Sequence, residues 1–247
     1  MAHQRYFLVL VLLFLIEFVF LAFSPHDRKD WLLENALVLV LAVGMAISYR
    51  KFPLSRVSYT LLFIFVCLHE IGAHYTYAEV PYDDFLMSRF HFSLNALMGW
   101  ERNNFDRVVH FLYGLLLAYP IKEFYSRVAD TSGFWSYFFP LELTMASSMF
   151  YELIEWGTAE LFGGELGMAY LGTQGDIWDA HKDMALASTG ALIAMIITMA
   201  INMVIQRGFI EEWRSSLRIK SNVPLGEDEI SRLLDDKRKG DETAATS

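Results

Sequence analysis

Residues 57–78, VSYTLLFIFVCLHEIGAHYTYA, form an apolar run in which three ionisable groups stand close to the end. The hydrocarbon core of a bilayer is ~30 Å thick, so about 20 apolar residues cross it as an α-helix. A helix also satisfies its own backbone hydrogen bonds, which lipid cannot do. The run therefore predicts a transmembrane helix, and His69, Glu70 and His74 raise the question of why ionisable groups lie at membrane depth.

The rest of the chain has the same apolar character. Of its 247 residues, 54 % are hydrophobic, and the mean hydropathy is +0.30, which is high for a soluble domain. We therefore predict an all-α fold, a polytopic membrane helix bundle with about six transmembrane helices over residues 1–207. No cluster of Lys and Arg indicates binding to nucleic acid. The apolar runs lie at about 6–23, 31–49, 57–78, 106–125, 135–162 and 183–206.

The distribution of Lys and Arg predicts the orientation in the membrane. These residues are more frequent at the N-terminus and after the second, fourth and sixth predicted helices than on the opposite side. Because cytoplasmic loops carry the excess of Lys and Arg, both termini are predicted to be cytoplasmic. Residues 208–247 are expected to form a cytoplasmic tail that is partly disordered. Residues 79–104 mix acidic and aromatic side chains, which favours an interfacial or re-entrant helix over the outer end of the bundle.

Pairs of ionisable residues recur at helical spacing in four of the predicted helices. Residues three or four apart lie on the same face of a helix. In the predicted topology all four pairs lie in the outer half of the membrane, and a reversed orientation would move them together. The pairs are Glu70 and His74 in the third helix, Asp106 and His110 in the fourth, Glu152 and Glu155 in the fifth, and Asp179 and Asp183 at the start of the sixth.

This convergence predicts a bound divalent metal ion. Carboxylates outnumber the nearby Lys and Arg, so without a cation they would repel one another. A mixed set of His, Asp and Glu suits Zn²⁺, Mn²⁺ or Fe²⁺ better than Ca²⁺. Glu152 and Glu155 are predicted to be catalytic, as general acid or base, and His69, Asp176 and His181 have supporting or uncertain roles. The predicted metal ligands are Glu70, His74, Asp106, His110, Asp179 and Asp183.

These residues are consistent with three functions. The first is a metal-dependent enzyme that acts on a lipid or a lipid-linked substrate, with membrane lipids around it. The second is an ion- or proton-coupled transporter or binding protein that uses the same acids. The third is a structural membrane protein whose polar core has no catalytic role. A His-Glu-x-x-His metalloprotease motif is excluded, because His69 and His74 are five residues apart.

Four ordered motifs carry a resemblance to a known family. They are HEIGAHYTY at residues 69–77, FDRVVHFLYG at 105–114, YELIEW at 151–156 and GTQGDIWDAHKDM at 172–184. These motifs resemble those of the YjdF-type bacterial inner-membrane proteins, a family without an assigned activity. Asp106 with His110, and Asp179 with Asp183, are also distantly similar to the VanZ-like membrane family. The resemblance implies a multi-pass protein of the bacterial cytoplasmic (inner) membrane.

Overall fold

A computed structural model describes residues 2–164, 174–220 and 226–245 of the chain, and within these ranges the regular structure is helical throughout. This confirms the prediction of an all-α fold. The helices are α1 (Ala2–Leu21), α2 (Arg28–Ser48), α3 (Arg56–His74), α4 (Tyr82–Phe90), α5 (Leu94–Met98), α6 (Phe105–Val128), α7 (Trp135–Phe162), α8 (Asp179–Ile205), α9 (Phe209–Ser216) and α10 (Glu227–Ala245).

Four of these helices, α1, α2, α3 and α8, are long and apolar enough to cross a membrane. Helices α6 and α7 have 24 and 28 residues, so their length also suffices. Each carries several charged residues, which lower its mean hydropathy below that of the four. The span count of six and the cytoplasmic location of both termini therefore stay predictions.

The outer helices expose apolar side chains, whereas the central helices pack against one another. Helices α1 and α2 turn large apolar side chains outward, among them Phe20, Val40 and Ile47. Such exposed apolar surfaces are expected where a helix faces lipid. Helix α6 is central and packs against α3, α7 and α8. The polar residues that matter below are therefore carried by helices that face one another.

Helices α6 and α8 approach each other at backbone contact. A Cβ atom at Gly114 would lie 1.9 Å from the carbonyl oxygen of Ala187, and one at Gly190 would lie 2.1 Å from that of Phe111. Small residues permit such close packing between membrane helices. Gly114 follows His110 by one turn, and Ala187 follows Asp183 by one turn. The contact therefore fixes the register of these two polar residues.

The segment predicted to lie over the outer end consists of two short helices, α4 and α5, which are tied together by Asp83. Its carboxylate accepts hydrogen bonds from the backbone N–H of Asn95 at 3.0 Å and the hydroxyl of Ser93 at 2.7 Å. These bonds, led by that of Asn95, hold the pKa of Asp83 below its usual value. Phe85 and Phe90 of α4 stay exposed. An interfacial position suits these rings, and it remains a prediction.

Part of the predicted tail belongs to the bundle. Helix α9 buries Phe209 against Tyr137, and the backbone carbonyl of Ser216 accepts a hydrogen bond from the indole of Trp135 at 2.8 Å. Helix α9 therefore packs against the bundle, and the cytoplasmic location and partial disorder of the tail stay predictions. Within residues 228–239 of α10, the side chains are exposed apart from that of Glu229, which is half-buried. Residues 221–225, 246 and 247 of the predicted tail lie outside the described residues.

Candidate functional site

A cavity of about 350 Å³ opens between α2, α3, α6, α7 and α8. Among the described residues, its wall carries seven carboxyl groups and two imidazoles but no Lys or Arg. Apolar side chains complete the wall, including Leu37, Leu41 and Phe150. The cavity is therefore suited to a ligand that is both cationic and partly apolar. The ionisable residues of the wall are Asp30, Glu34, His69, Asp106, His110, Glu152, Glu155, Asp179 and Asp183.

Five of these residues form a compact cluster, Asp106, His110, Glu152, Asp179 and Asp183, which we call the α6–α8 cluster. It contains two groups of three ligands whose nearest ligand atoms all lie within 4.8 Å of one another. The first is His110, Glu152 and Asp183, and the second is Asp106, Asp179 and Asp183. Asp183 belongs to both groups and therefore lies between them.

Two atoms of this cluster are buried without a hydrogen bond in the described part of the chain. They are Oδ1 of Asp183 and Oε1 of Glu152. Asp183 is 4 % exposed, and Oε1 of Glu152 lies 3.7 Å from Nε2 of His110. Buried carboxylate oxygens usually have partners. Unpaired acceptors that face a cavity are the arrangement expected where a cation binds.

Arg102, Arg107, Asp176 and Lys182, which lie outside the cavity wall, form a network of ion pairs with Asp179 of the cluster. Nη2 of Arg107 donates to Asp179 at 3.0 Å and to Asp176 at 2.5 Å, and Arg102 also contacts Asp179. Lys182 donates to Asp176 at 2.5 Å. Lys182, together with the Trp178 N–H and Arg107, lowers the pKa of Asp176. Asp176 is therefore a partner of Arg and Lys, while Asp179 is held in place through its Oδ1.

Known proteins were compared with the chain. Residues 6–203 match the family model described as "Predicted membrane protein (DUF2238)". The chain belongs to this family. It is also 34% identical over 179 residues to the inner membrane protein YjdF of Escherichia coli (strain K12). The aligned residues cover 72% of this chain and 81% of that protein. No solved structure matches the chain. The protein is thus a multi-pass protein of the inner membrane.

The chain also brings acids to a second part of the cavity wall, on α2. Helix α2 begins at the cap Asp27, whose carboxylate accepts from the N–H of Asp30 at 3.1 Å, and Glu34 follows one turn later. Tyr151 donates to Oε2 of Glu34 at 3.3 Å. Sequence reasoning missed Asp30 and Glu34. Their i,i+4 spacing at the outer end of the second predicted helix was the same signal as in the four pairs that it found.

His69 lines this second part of the wall, and both of its ring nitrogens are engaged. Nε2 lies 3.3 Å from the carbonyl oxygen of Glu34, which can only accept, so this nitrogen donates. Nδ1 of the neutral ring then accepts from the hydroxyl of Tyr77 at 2.5 Å. Gly72 permits this bond, because the Tyr77 ring lies against its Cα, 2.6 Å from where a Cβ would stand. His69 therefore shapes the wall and has no free nitrogen for a metal.

Glu70 and His74, two of the predicted ligands, lie on another face of α3. Glu70 is fully buried next to Glu17 of α1 and Asn35 of α2. Nδ1 of His74 donates to the carbonyl oxygen of Leu21 at 2.7 Å. Neither residue lines the cavity, because Glu70 points about 100° and His74 about 140° around the helix from His69. The structure brings together the other four predicted ligands with Glu152 and Glu155.

His181, the last of the uncertain residues, points away from the cluster. Its side chain is exposed, and its ring lies 5.3 Å from that of Trp178. Asp179 and Asp183 lie on the inward face of α8, whereas His181 is two residues from each and thus about 200° around the helix. The start of α8 therefore contributes its two aspartates to the site.

Proposed function

We propose that this inner-membrane protein is a metal-dependent enzyme that acts on a lipid or lipid-linked substrate, with its metal in the α6–α8 cluster. The observation that carries the proposal is the shared position of Asp183. It stands within 4.8 Å of two separate sets of ligand atoms, one with His110 and Glu152 and one with Asp106 and Asp179. A carboxylate in this position could serve as a ligand together with either set.

The charges of the cluster support a divalent cation. Four carboxyl groups and one imidazole are gathered in helices that are predicted to span the membrane, where ionised side chains are costly and are usually paired or functional. In the part of the chain that the structure describes, the guanidinium groups of Arg102 and Arg107 pair with Asp179 and with no other carboxylate of the cluster. Unless a cation lies between them, the remaining acids repel one another. The mixed nitrogen and oxygen donors suit Zn²⁺, Mn²⁺ or Fe²⁺.

The chemistry then follows from the residues around the cluster. A bound divalent ion would supply an activated water and polarise a carbonyl or phosphoryl oxygen. Glu155 lines the cavity beside Glu152 but belongs to neither ligand group. It is therefore placed to accept or return the proton of the reaction. The apolar wall at Leu37, Leu41 and Phe65 provides space for an acyl or prenyl chain.

Metal analysis of the purified protein tests the metal centre. We expect wild type, purified without chelator and supplied with Zn²⁺, Mn²⁺ or Fe²⁺, to carry a stoichiometric ion. His110→Ala should lose it, whereas His74→Ala should retain it, because His74 donates to a backbone carbonyl outside the cavity. A wild-type protein that binds none of the three ions at neutral pH would refute the proposal.

Lipid turnover tests the enzyme itself. Wild type reconstituted in vesicles of inner-membrane lipids should change at least one lipid species by mass spectrometry, and a chelator should stop the change. Asp183→Asn should be inactive, while Glu160→Gln, which alters an exposed carboxyl of the same helix as Glu152, should stay active. Tight metal binding without any turnover would favour the ion-coupled transporter or binding protein instead.

A further inference from the structure

The cavity end formed by Asp30 and Glu34 is not used by the proposed metal chemistry. Asp30 is 2 % exposed and Glu34 is 3 % exposed, and both line the cavity. Oδ1 of Asp30 has no hydrogen-bond partner among the described residues. Two buried acids at membrane depth, one with an unpaired oxygen, call for a positively charged ligand.

The side chains at this end do not form a suitable set of metal ligands. His69 supplies the imidazole of this part of the wall, and both of its ring nitrogens are already hydrogen-bonded, to Glu34 and to Tyr77. In the described residues, neither Asp30 nor Glu34 belongs to a group of three ligand atoms within reach of one ion. A metal would therefore find two carboxylates and incomplete coordination.

An ammonium group fits the same surroundings. It brings its own N–H donors, which charged carboxylate oxygens accept strongly. Aromatic rings that attract cations border the site, since Tyr77 and Tyr151 both line the cavity. The ring of Tyr151 also lies 5.8 Å from that of His110, so this end adjoins the α6–α8 cluster.

We propose that Asp30 and Glu34 bind the ammonium headgroup of the substrate lipid while the α6–α8 cluster holds the group that reacts. This inference rests on the proposed function and names the substrate class, a lipid with a free amine. The cavity of about 350 Å³ is large enough for a small polar headgroup, and its apolar wall leads to the lipid chains.

Native mass spectrometry of the metal-loaded protein tests the headgroup site. The probes are phosphatidylethanolamine, its N-acetyl derivative, phosphatidylglycerol and free phosphoethanolamine. We expect wild type to retain phosphatidylethanolamine at least tenfold better than the N-acetyl derivative, which has the same chains but no charge on nitrogen. Free phosphoethanolamine should bind more weakly than the lipid if the apolar wall contributes. Equal retention of the amine and N-acetyl lipids would overturn the inference without any mutant.

Variants separate this site from the metal centre. Asp30→Asn with Glu34→Gln should abolish the preference for the amine while the metal content stays at the wild-type value. Glu160→Gln, an exposed carboxyl, should keep both. Loss of metal from the Asp30 and Glu34 variant would mean that these acids are ligands, which overturns the inference. Absence of metal from wild type would instead refute the proposed function.

Discussion

Asp183 and Glu70 are both buried carboxyl groups in helices that are long and apolar enough to span the membrane, yet their surroundings differ. Asp183 faces the cavity, where two sets of ligand atoms lie within 4.8 Å of it. Glu70 is fully buried between α1, α2 and α3, with Glu17 and Asn35 as its neighbours. Burial of an acid in a membrane helix is therefore not enough to mark a metal ligand. On the proposed function, Asp183 differs from Glu70 in the number of other ligand atoms that lie near it.

The largest expected difference comes from removing one carboxylate charge at each position. Asp183→Asn removes a carboxylate that both ligand groups share. The metal affinity of this variant should fall by more than the roughly 10–100-fold that follows loss of an outer-shell partner. Glu70→Gln should keep the wild-type metal content, because Glu70 lies outside the cavity. Titration of metal into the two purified variants measures the difference. An equal loss in both would show that Glu70 supports the cluster through α3.

The sequence predicts the helices, but the difference between Asp183 and Glu70 depends on how each helix is rotated about its axis. Apolar run length predicts which segments are helical, and i,i+4 spacing predicts which residues share a face. Neither predicts which face of α3 turns to the cavity, because that depends on packing, here the Tyr77 ring against Gly72. The structure brings together Asp106, His110, Asp179 and Asp183, which their spacing placed in one predicted site, and their role as ligands stays a prediction. The sequence assigned Glu70 and His74 to the same site because the shared membrane depth hid the difference in direction.

The second prediction concerns the backbone contact that positions Asp183. Gly114→Val would force α6 away from α8, because a Cβ there would lie 1.9 Å from the carbonyl oxygen of Ala187. We expect a loss of stability of at least the ~1–3 kcal/mol typical of over-packing, together with reduced metal binding. Gly44→Val in α2 is the control, since nothing lies within 4 Å of its Cβ position. Thermal unfolding in detergent compares them, and similar midpoints would contradict the role of this contact.

The third prediction concerns the support behind Asp179. Arg107 is 8 % exposed and donates to both Asp179 and Asp176. Arg107→Gln should lower metal affinity by roughly 10–100-fold, the range for a lost outer-shell partner, since Asp179 would keep only one of its two arginine partners, Arg102. Arg89→Gln, which changes an exposed arginine of α4, should have no effect. If Arg107→Gln instead raises the affinity, the arginine competes with the cation for Asp179.

The smallest effect is expected from pH, at a carboxylate that lies before α8 and outside the cavity wall. The pKa of Asp176 is lowered in the folded protein by Lys182, the Trp178 N–H and Arg107. Because its folded pKa lies below the unfolded value of about 3.9, its contribution to stability is fully present above that pH and is lost as the pH falls further. Asp176→Asn should therefore lower the unfolding midpoint slightly at pH 6 and less at pH 3. A constant difference between wild type and variant at both pH values would show that the ion pairs of Asp176 do not stabilise the folded protein.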